Sequence, residues 1–232
     1  MALPAAGLIT LAMIAAEFGG SPPYSMSQFY RGGGRVTRNN LSVPTSGAIS
    51  LSQFRGAQKS VAGSASWGAG SYGVAIPAYD TLTMEILGSG GGGGGTTGSR
   101  ASDQNTWFGG TGAQSYFAAP SGTIYANGGT GGGNCSGVGS GSNGSPGAGY
   151  YGDAMSTGGG NAGGGPMSWN QYIGGYGGAG GYVRKTWRAD DPGAPVAGGV
   201  YSLVLGPGGA GGYATWASGN PGAGATARMS WT

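Results

Sequence analysis

Polar and apolar residues alternate in several stretches, which predicts β-strands. Between residues 81 and 87, Leu82, Met84 and Ile86 share one face and polar side chains share the other. The stretches 183–188, 200–205 and 225–231 alternate in the same way, and weaker candidates are 71–76, 115–117 and 123–126. Half-buried strands of this kind pair antiparallel with one face in water. The residues Asp190, Asp191, Pro192 and Gly193 predict a turn between two of them.

The first sixty residues follow a helical pattern instead. Three related motifs begin at residues 4, 24 and 44. In the first, Thr10 is placed to cap a helix of about two turns that ends before Gly19. The other two contain Ser25 with Gln28 and Ser50 with Gln53, the spacing of a capping box, so each predicts a short helical turn above a phenylalanine.

Short helices of this kind are marginal alone and need a partner surface. Two interpretations are open and compatible: the three motifs pack on each other as a small core, or they form a plug that docks on another protein. The residues that we expect to carry attachment are Leu11, Ile14, Phe18, Phe29, Ile49, Leu51 and Phe54.

Glycine recurs with a period of three between residues 174 and 182, where Tyr176, Ala179 and Tyr182 are the larger side chains. Three residues per turn is the repeat of a polyproline-II helix, whose backbone groups all point sideways and need partners. Related patterns occupy 90–95, 128–133 and 208–213. These segments are either long loops of a β-sandwich or stacked polyproline-II helices, and the sequence leaves both open.

Composition favours an ordered structural component. Glycine supplies 59 of 232 residues, yet 6 Trp, 13 Tyr and 5 Phe are set among the glycines, which is unusual for a flexible linker. Charged residues make up only 7%, which is typical of a part held within a complex or built for a harsh exterior. The net charge of +3 is too small and too scattered to predict nucleic-acid binding.

The side chains needed for common chemistries are missing from the sequence. It has no His and a single Cys, Cys135, so we expect no internal disulfide, no metal site and no cofactor. Asp103 and Asp153 are the acids within the loops, and nothing in their spacing brings them together as a glycosidase pair. Residues 2–18 lack a basic start and are too short to span a bilayer, so we expect neither secretion by a signal peptide nor membrane insertion. The chain is expected not to be an enzyme.

Aromatic residues in the glycine-rich loops are the candidates for recognition. Flat rings in hydrated loops stack on sugars or hold protein loops at low entropic cost, although they could equally fill a thin core between glycine segments. The candidate receptor-binding residues are Trp107, Phe108, Tyr150, Tyr151, Trp169, Tyr172 and Tyr176.

These patterns predict an all-β fold: a glycine-rich β-sandwich with long glycine-rich loops, preceded by a small region of short helical turns. The expected divisions are an attachment region at 1–57, a connector at 58–78 and a glycine-rich β domain at 79–232.

Two features in this order resemble a known group. The segment Ala48 to Gly56 near the N-terminus, followed by a glycine-rich body with the stretches 82–91 and 200–212, is similar to glycine-rich tail-fibre or tail-tip adhesin proteins of tailed bacteriophages. The resemblance implies a structural virion protein, made in the host cytoplasm and placed at the distal tail. It implies an N-terminus attached to other tail or baseplate proteins and glycine segments that stack and present loops to a host-cell receptor. The alternatives are a purely structural baseplate component and, more distantly, a free ice- or surface-binding protein.

Overall fold

The computed structural model describes residues 2–95, 108–133, 139–159, 163, 172–213 and 218–232. Most of the regular structure in these residues is β, arranged in two antiparallel sheets of five strands each with very little helix, which confirms the all-β expectation. The strand orders are β1-β12-β3-β10-β8 and β2-β11-β4-β5-β7, and β6 and β9 form a small parallel pair. The strands are β1 Gly63–Trp67, β2 Gly70–Ala75, β3 Thr81–Leu87, β4 Ser115–Ala119, β5 Gly122–Ala126, β6 Gly139–Ser140, β7 Gly149–Tyr150, β8 Ala154–Ser156, β9 Tyr172–Ile173, β10 Tyr182–Arg188, β11 Val200–Leu205 and β12 Thr226–Trp231.

Strand β3 shows why the alternating stretches form sheet. Its apolar residues Leu82, Met84 and Ile86 are fully buried, and its threonines are half-buried on the other face. It pairs with β10 on one side and β12 on the other, both of which alternate in register with it. The buried row joins Phe117 of β4 and Leu203 of β11 in one core, so both sheets contribute to it.

The stretch expected to be a connector contains two strands. β1 pairs with β12 and β2 pairs with β11, so residues 63–75 belong to the two sheets. The sequence predicted a weak strand at 71–76 within this stretch, close to β2, but it did not predict β1, which is built of Gly, Ser and Ala with Trp67 as its one large side chain. Small side chains give almost no hydrophobic alternation, although they pair through the backbone as well as any others.

The N-terminal region forms a separate small core. Helix α1 spans Leu11–Phe18, and the Oγ1 atom of Thr10 accepts a hydrogen bond of 3.2 Å from the Met13 N–H, as expected of a cap. Two 3-10 turns follow at Met26–Phe29 and Leu51–Phe54. Phe29 and Phe54 are fully buried, with Phe54 packed against Phe18 at 6.4 Å between ring centroids.

The two serine motifs behave differently. At Ser50 the backbone N–H donates to Oε1 of Gln53 at 2.7 Å, which is the return bond of a capping box. Ser25 instead contacts the hydroxyl of Ser27 at 2.8 Å, and Oε1 of Gln28 is buried with no hydrogen-bond partner among the described residues. The capping box expected at Ser25 is therefore absent.

The N-terminal region contacts the sheets where β3 begins. The Arg38 N–H donates to Oδ1 of Asp80 at 2.8 Å, and its guanidinium lies 3.6 Å from the carboxylates of both Asp80 and Asp190. Asp80 directly precedes β3, and Asp190 lies in the turn after β10. The contact is thus at the end of the sheets opposite to the C-terminal end of β3.

Candidate functional site at the end of the glycine bundle

A central glycine segment, residues 88–95, leaves the C-terminal end of β3 and is fully buried. Each N–H from Gly90 to Gly94 donates to a neighbouring segment, and the donors three residues apart reach the same neighbour. Gly90 and Gly93 bond the carbonyls of Ala223 and Asn220, both at 2.9 Å. A repeat of three is the symmetry of a polyproline-II helix, not of a strand, which bonds with a repeat of two.

Six neighbours from the described part of the chain surround the central segment. Its carbonyls accept with the same repeat, those of Gly90 and Gly93 from the N–H groups of Gly209 and Gly212 at 2.9 and 2.8 Å. Neighbouring segments also bond each other, for example Gly112 to Gly129 and Gly222 to Gly209. We call residues 88–95 and their neighbours the glycine bundle; the neighbours are 108–113, 128–133, Gly163, 174–181, 207–213 and 218–224.

The sheets position the bundle. The segments 88–95, 128–133 and 207–213 follow β3, β5 and β11, whereas 108–113, 174–181 and 218–224 lead into β4, β10 and β12. Strands already held side by side therefore extend directly into glycine segments held side by side. We call the end of the bundle away from the strands the far end; the bundle positions farthest along the chain from those strands are residues 95, 108, 133, 174, 213 and 218.

Close backbone packing explains the glycines. A Cβ atom built on Gly92 would overlap the carbonyl oxygen of Ala210, and one built on Gly94 would overlap that of Gly133. Since these obstacles are backbone atoms of bonded neighbours, no rotamer change could relieve them. The bundle is thus packed backbone against backbone, and at Gly92 and Gly94 it leaves no space for a side chain.

Aromatic side chains project from the far half of this body. Phe108, Tyr176 and Tyr213 are 60%, 45% and 72% exposed. Each is adjacent to a glycine that bonds within the bundle: Gly109 to Gly132, Gly175 to Gly94, and Gly212 to Gly93. Tyr176 is further fixed because its N–H donates to Oδ1 of Asn143 at 3.0 Å. The rings therefore stand on an ordered backbone and do not fill a core.

The structure separates the predicted receptor-binding residues into two places. Phe108 and Tyr176 lie at the far half of the bundle, whereas Tyr150 and Tyr151 lie beside β5 at the sheets, with Tyr150 5.1 Å from Tyr125 between ring centroids. Tyr172 is described only as backbone in β9. Trp107 and Trp169 lie outside the described residues.

Tyr213 was not among the predicted residues. Its sequence signal was present, because Gly211, Gly212 and Tyr213 repeat the pattern of Gly180, Gly181 and Tyr182. The two tyrosines differ in environment: Tyr182 begins β10 and donates to Glu85 at 3.0 Å, while Tyr213 is exposed. The triplet pattern alone does not distinguish the strand end from the far end.

Most of the predicted attachment residues are interior. Ile14, Phe18, Phe29 and Phe54 are buried in the N-terminal core, and Leu11 and Ile49 pack against it. Leu51 is 38% exposed, and the other large exposed apolar side chains described in this region include Leu8 and Leu41. In this conformation the buried residues form the interior of the region and are not accessible at its surface.

The described acids do not cluster as metal ligands. Asp153 bonds Nζ of Lys185 at 2.8 Å and the Thr186 N–H at 2.7 Å. Burial alone would raise the pKa of Asp153, but these bonds outweigh it and hold that pKa below its ordinary value. Asp103 lies outside the described residues, and within them no three His, Cys, Asp or Glu side chains converge as metal ligands. Nor is any helix there long and apolar enough to cross a membrane.

No protein-family model, curated protein or solved structure matches this chain.

Proposed function

We propose that this chain is a non-enzymatic structural protein of a bacteriophage virion, placed at the distal tail, that recognises a host-cell receptor with the far end of its glycine bundle. The observation that carries the proposal is the exposure of Phe108, Tyr176 and Tyr213, each next to a glycine that is hydrogen-bonded within the bundle. Exposed aromatic rings on a rigid support bind at low entropic cost, which is the property that a recognition surface needs.

The order of parts along the molecule supports this proposal. The N-terminal region contacts Asp80 before β3, and the bundle begins at Gly88 after it. A strand of seven residues spans about 23 Å at about 3.3 Å per residue. The polyproline-II repeat adds about 25 Å over residues 88–95 at about 3.1 Å per residue. The anchor candidate and the aromatic rings thus lie at opposite ends.

The architecture that we infer is a β-sandwich extended by stacked polyproline-II helices. Its support is the core shared by both sheets and the hydrogen-bond repeat of three. Of the two interpretations left open by the sequence, this one accounts for the glycine spacing as well as for the strands.

Attachment to other tail or baseplate proteins is assigned to the N-terminal region. The exposed leucines Leu8, Leu41 and Leu51 offer apolar contact on a surface shaped by the buried phenylalanines. Deleting residues 2–57 should abolish incorporation into virions, whereas full incorporation without them would contradict this assignment.

Receptor recognition is tested with virions that carry Phe108→Ala, Tyr176→Ala and Tyr213→Ala together. We expect normal particle yield and a loss of adsorption to host cells. The matched control is Val196→Ala, since Val196 is equally exposed but lies between β10 and β11 away from the bundle. Normal adsorption by the triple variant would refute recognition at the far end and favour the purely structural alternative. A map of the virion in which these rings are buried against neighbouring proteins would also refute recognition and favour the purely structural alternative.

A further inference from the structure

A cleft at the edges of the two sheets forms a second candidate site, distinct from the far end of the bundle. It lies between β5 of one sheet and β10 of the other, with a volume of about 420 Å³. Its lining includes Ser121, Thr123, Tyr125, Tyr151 and Lys185. Pockets that take small molecules begin at about 300 Å³, so the cleft is large enough for one or two sugar rings.

Aromatic rings form one wall of the cleft. The centroid of Tyr125 lies 5.1 Å from that of Tyr150 and 5.4 Å from that of Tyr151, whose ring is turned by 75°. Tyr151 is 68% exposed, so these contacts leave most of its surface open to a ligand. A hydrogen-bonding contact with Tyr151 raises the pKa of Tyr125, which keeps its hydroxyl protonated.

The backbone holds Tyr151 in an unusual conformation. Its φ is 60°, in the left-handed region that glycine and asparagine adopt more readily. The next residue, Gly152, is packed so closely on β10 that a Cβ there would lie 2.5 Å from the carbonyl oxygen of Arg184. The turn is therefore fixed against the sheet and directs the tyrosine outward. Unfavourable backbone conformations retained in this way are concentrated at functional sites.

The other wall is polar but electrically balanced. The Lys185 ammonium bonds Asp153 at 2.8 Å, which leaves further N–H groups for a ligand. The Ser121 hydroxyl oxygen accepts from Nε1 of Trp187 at 3.0 Å, so its own O–H is available to donate. Since the ammonium is matched by a carboxylate, the cleft offers hydrogen bonds without favouring a charged ligand.

We propose that this cleft binds a neutral pyranose saccharide. The negative faces of the tyrosine rings suit the polarised C–H face of a sugar, and the Lys185 ammonium and the Ser121 hydroxyl suit its hydroxyls. An anion would compete with Asp153 for Lys185, and a purely apolar ligand would leave the ion pair and hydroxyls unsatisfied. The proposal does not depend on receptor recognition at the far end of the bundle.

The test is saturation-transfer NMR on the full chain with the methyl pyranosides of glucose, galactose and mannose, and with glucuronic acid and cyclohexanol as an acidic and an apolar probe. We expect transfer to at least one neutral pyranoside. Tyr151→Asn removes the ring and keeps a residue suited to positive φ, so it should weaken that binding about tenfold without lowering the melting temperature. Tyr24→Asn, at an exposed tyrosine of the N-terminal region outside the cleft, is the matched control and should leave this binding unchanged.

Three outcomes would overturn the proposal: no transfer to any of the three neutral pyranosides, binding that Tyr151→Asn leaves unchanged, or a preference for glucuronic acid or cyclohexanol. Lys185→Gln gives a second measurement, because it removes the ammonium but not the rings. This variant should bind the neutral pyranoside more weakly. An unchanged affinity would contradict the role of Lys185 in the polar wall. Since no host cell is involved, the result is independent of the adsorption experiment.

Discussion

Replacing Gly92 by alanine tests the packing of the glycine bundle at its centre. The N–H of Gly92 donates to Gly110 at 2.8 Å and its carbonyl accepts from Gly132 at 2.9 Å. Its missing side chain points at the carbonyl oxygen of Ala210, so a methyl group would lie under 3.0 Å from that oxygen. Ordinary C···O contacts lie at about 3.3–3.6 Å, so segment 207–213 would have to move away.

The cost follows from the bonds that this movement strains. Segment 207–213 is held by Gly209 to Gly90, Gly212 to Gly93 and Gly110 to Ala210, at 2.9, 2.8 and 2.7 Å. At about 1 kcal/mol for each of the three bonds and about 1–3 kcal/mol for overpacking, the free energy of unfolding should fall by about 4–6 kcal/mol. For a chain of this size that lowers the melting temperature by about 10 °C.

Differential scanning calorimetry measures the effect, with Gly68→Ala as the matched control. Gly68 lies between β1 and β2, has nothing within 4 Å of a built Cβ, and its φ is outside the left-handed region. The same change there should leave stability equal or higher by about 0.4–1 kcal/mol, because alanine restricts the unfolded chain. Equal melting temperatures for Gly92→Ala and the parent would refute the packed bundle.

Three further predictions concern the sheets, the N-terminal region and the edge cleft. Burial, with smaller effects of Tyr201 and Asp191, raises the pKa of Tyr79 to about 12. Because the unfolded chain loses this proton at about pH 10, the contribution of Tyr79 to the free energy of unfolding is complete below that pH and should be lost as the pH rises towards about 12. Tyr79→Phe should make this alkaline loss of stability smaller in urea titrations. It should also lower the free energy of unfolding by about 1–3 kcal/mol at neutral pH, because the Pro195 carbonyl loses its partner. An unchanged dependence of stability on alkaline pH would contradict this. Thr10→Ala should cost about 1 kcal/mol and speed amide exchange in α1, whereas Leu8→Ala, at an exposed position, should not. The lowered pKa of Asp153 contributes stability that is present above the ordinary carboxyl pKa of 3.8 and is lost as the pH falls through the pKa of the folded state. Asp153→Asn should therefore lose less stability than the parent on acidification. An identical loss of stability at acid pH would argue against the ion pair.

The strands with large side chains could be predicted from the sequence, and those with small ones could not. The alternation of residues 81–87 predicted β3 with its bounds as observed, because Leu82, Met84 and Ile86 must leave water together. β1 was not predicted because its Gly, Ser and Ala residues produce little hydrophobic alternation. Its place is determined by pairing with β12, a contact across more than 150 residues that no local pattern contains.

For the candidate sites, the sequence predicted the kind of residues involved but not how they are arranged in space. Aromatic residues among glycines drew attention to Phe108, Tyr150, Tyr151 and Tyr176, but not to their division between the bundle and the edge cleft. The cleft joins Tyr125 and Tyr151 to Lys185 of β10 through the way the two sheets meet. That arrangement depends on tertiary packing. The burial of Phe29 and Phe54 inside the N-terminal core depends on it as well.

The spacing of the glycines, however, corresponds to the place of each segment in the bundle. The central run 90–95 is contacted on all sides, and each of its positions is glycine and buried. In segment 174–181 two residues of every three face neighbours and are glycine, while Tyr176 and Ala179 occupy the remaining, more accessible side. Segment 218–224 is more exposed, and there a Cβ atom at Gly219 or Gly222 would overlap the central carbonyls of Gly93 or Gly90. Because the hydrogen bonds repeat every three residues, successive residues face three sides in turn. The number of sides that must be glycine equals the number in contact with backbone, and the remaining side is where the chain can carry Tyr176, Tyr213 or Phe108.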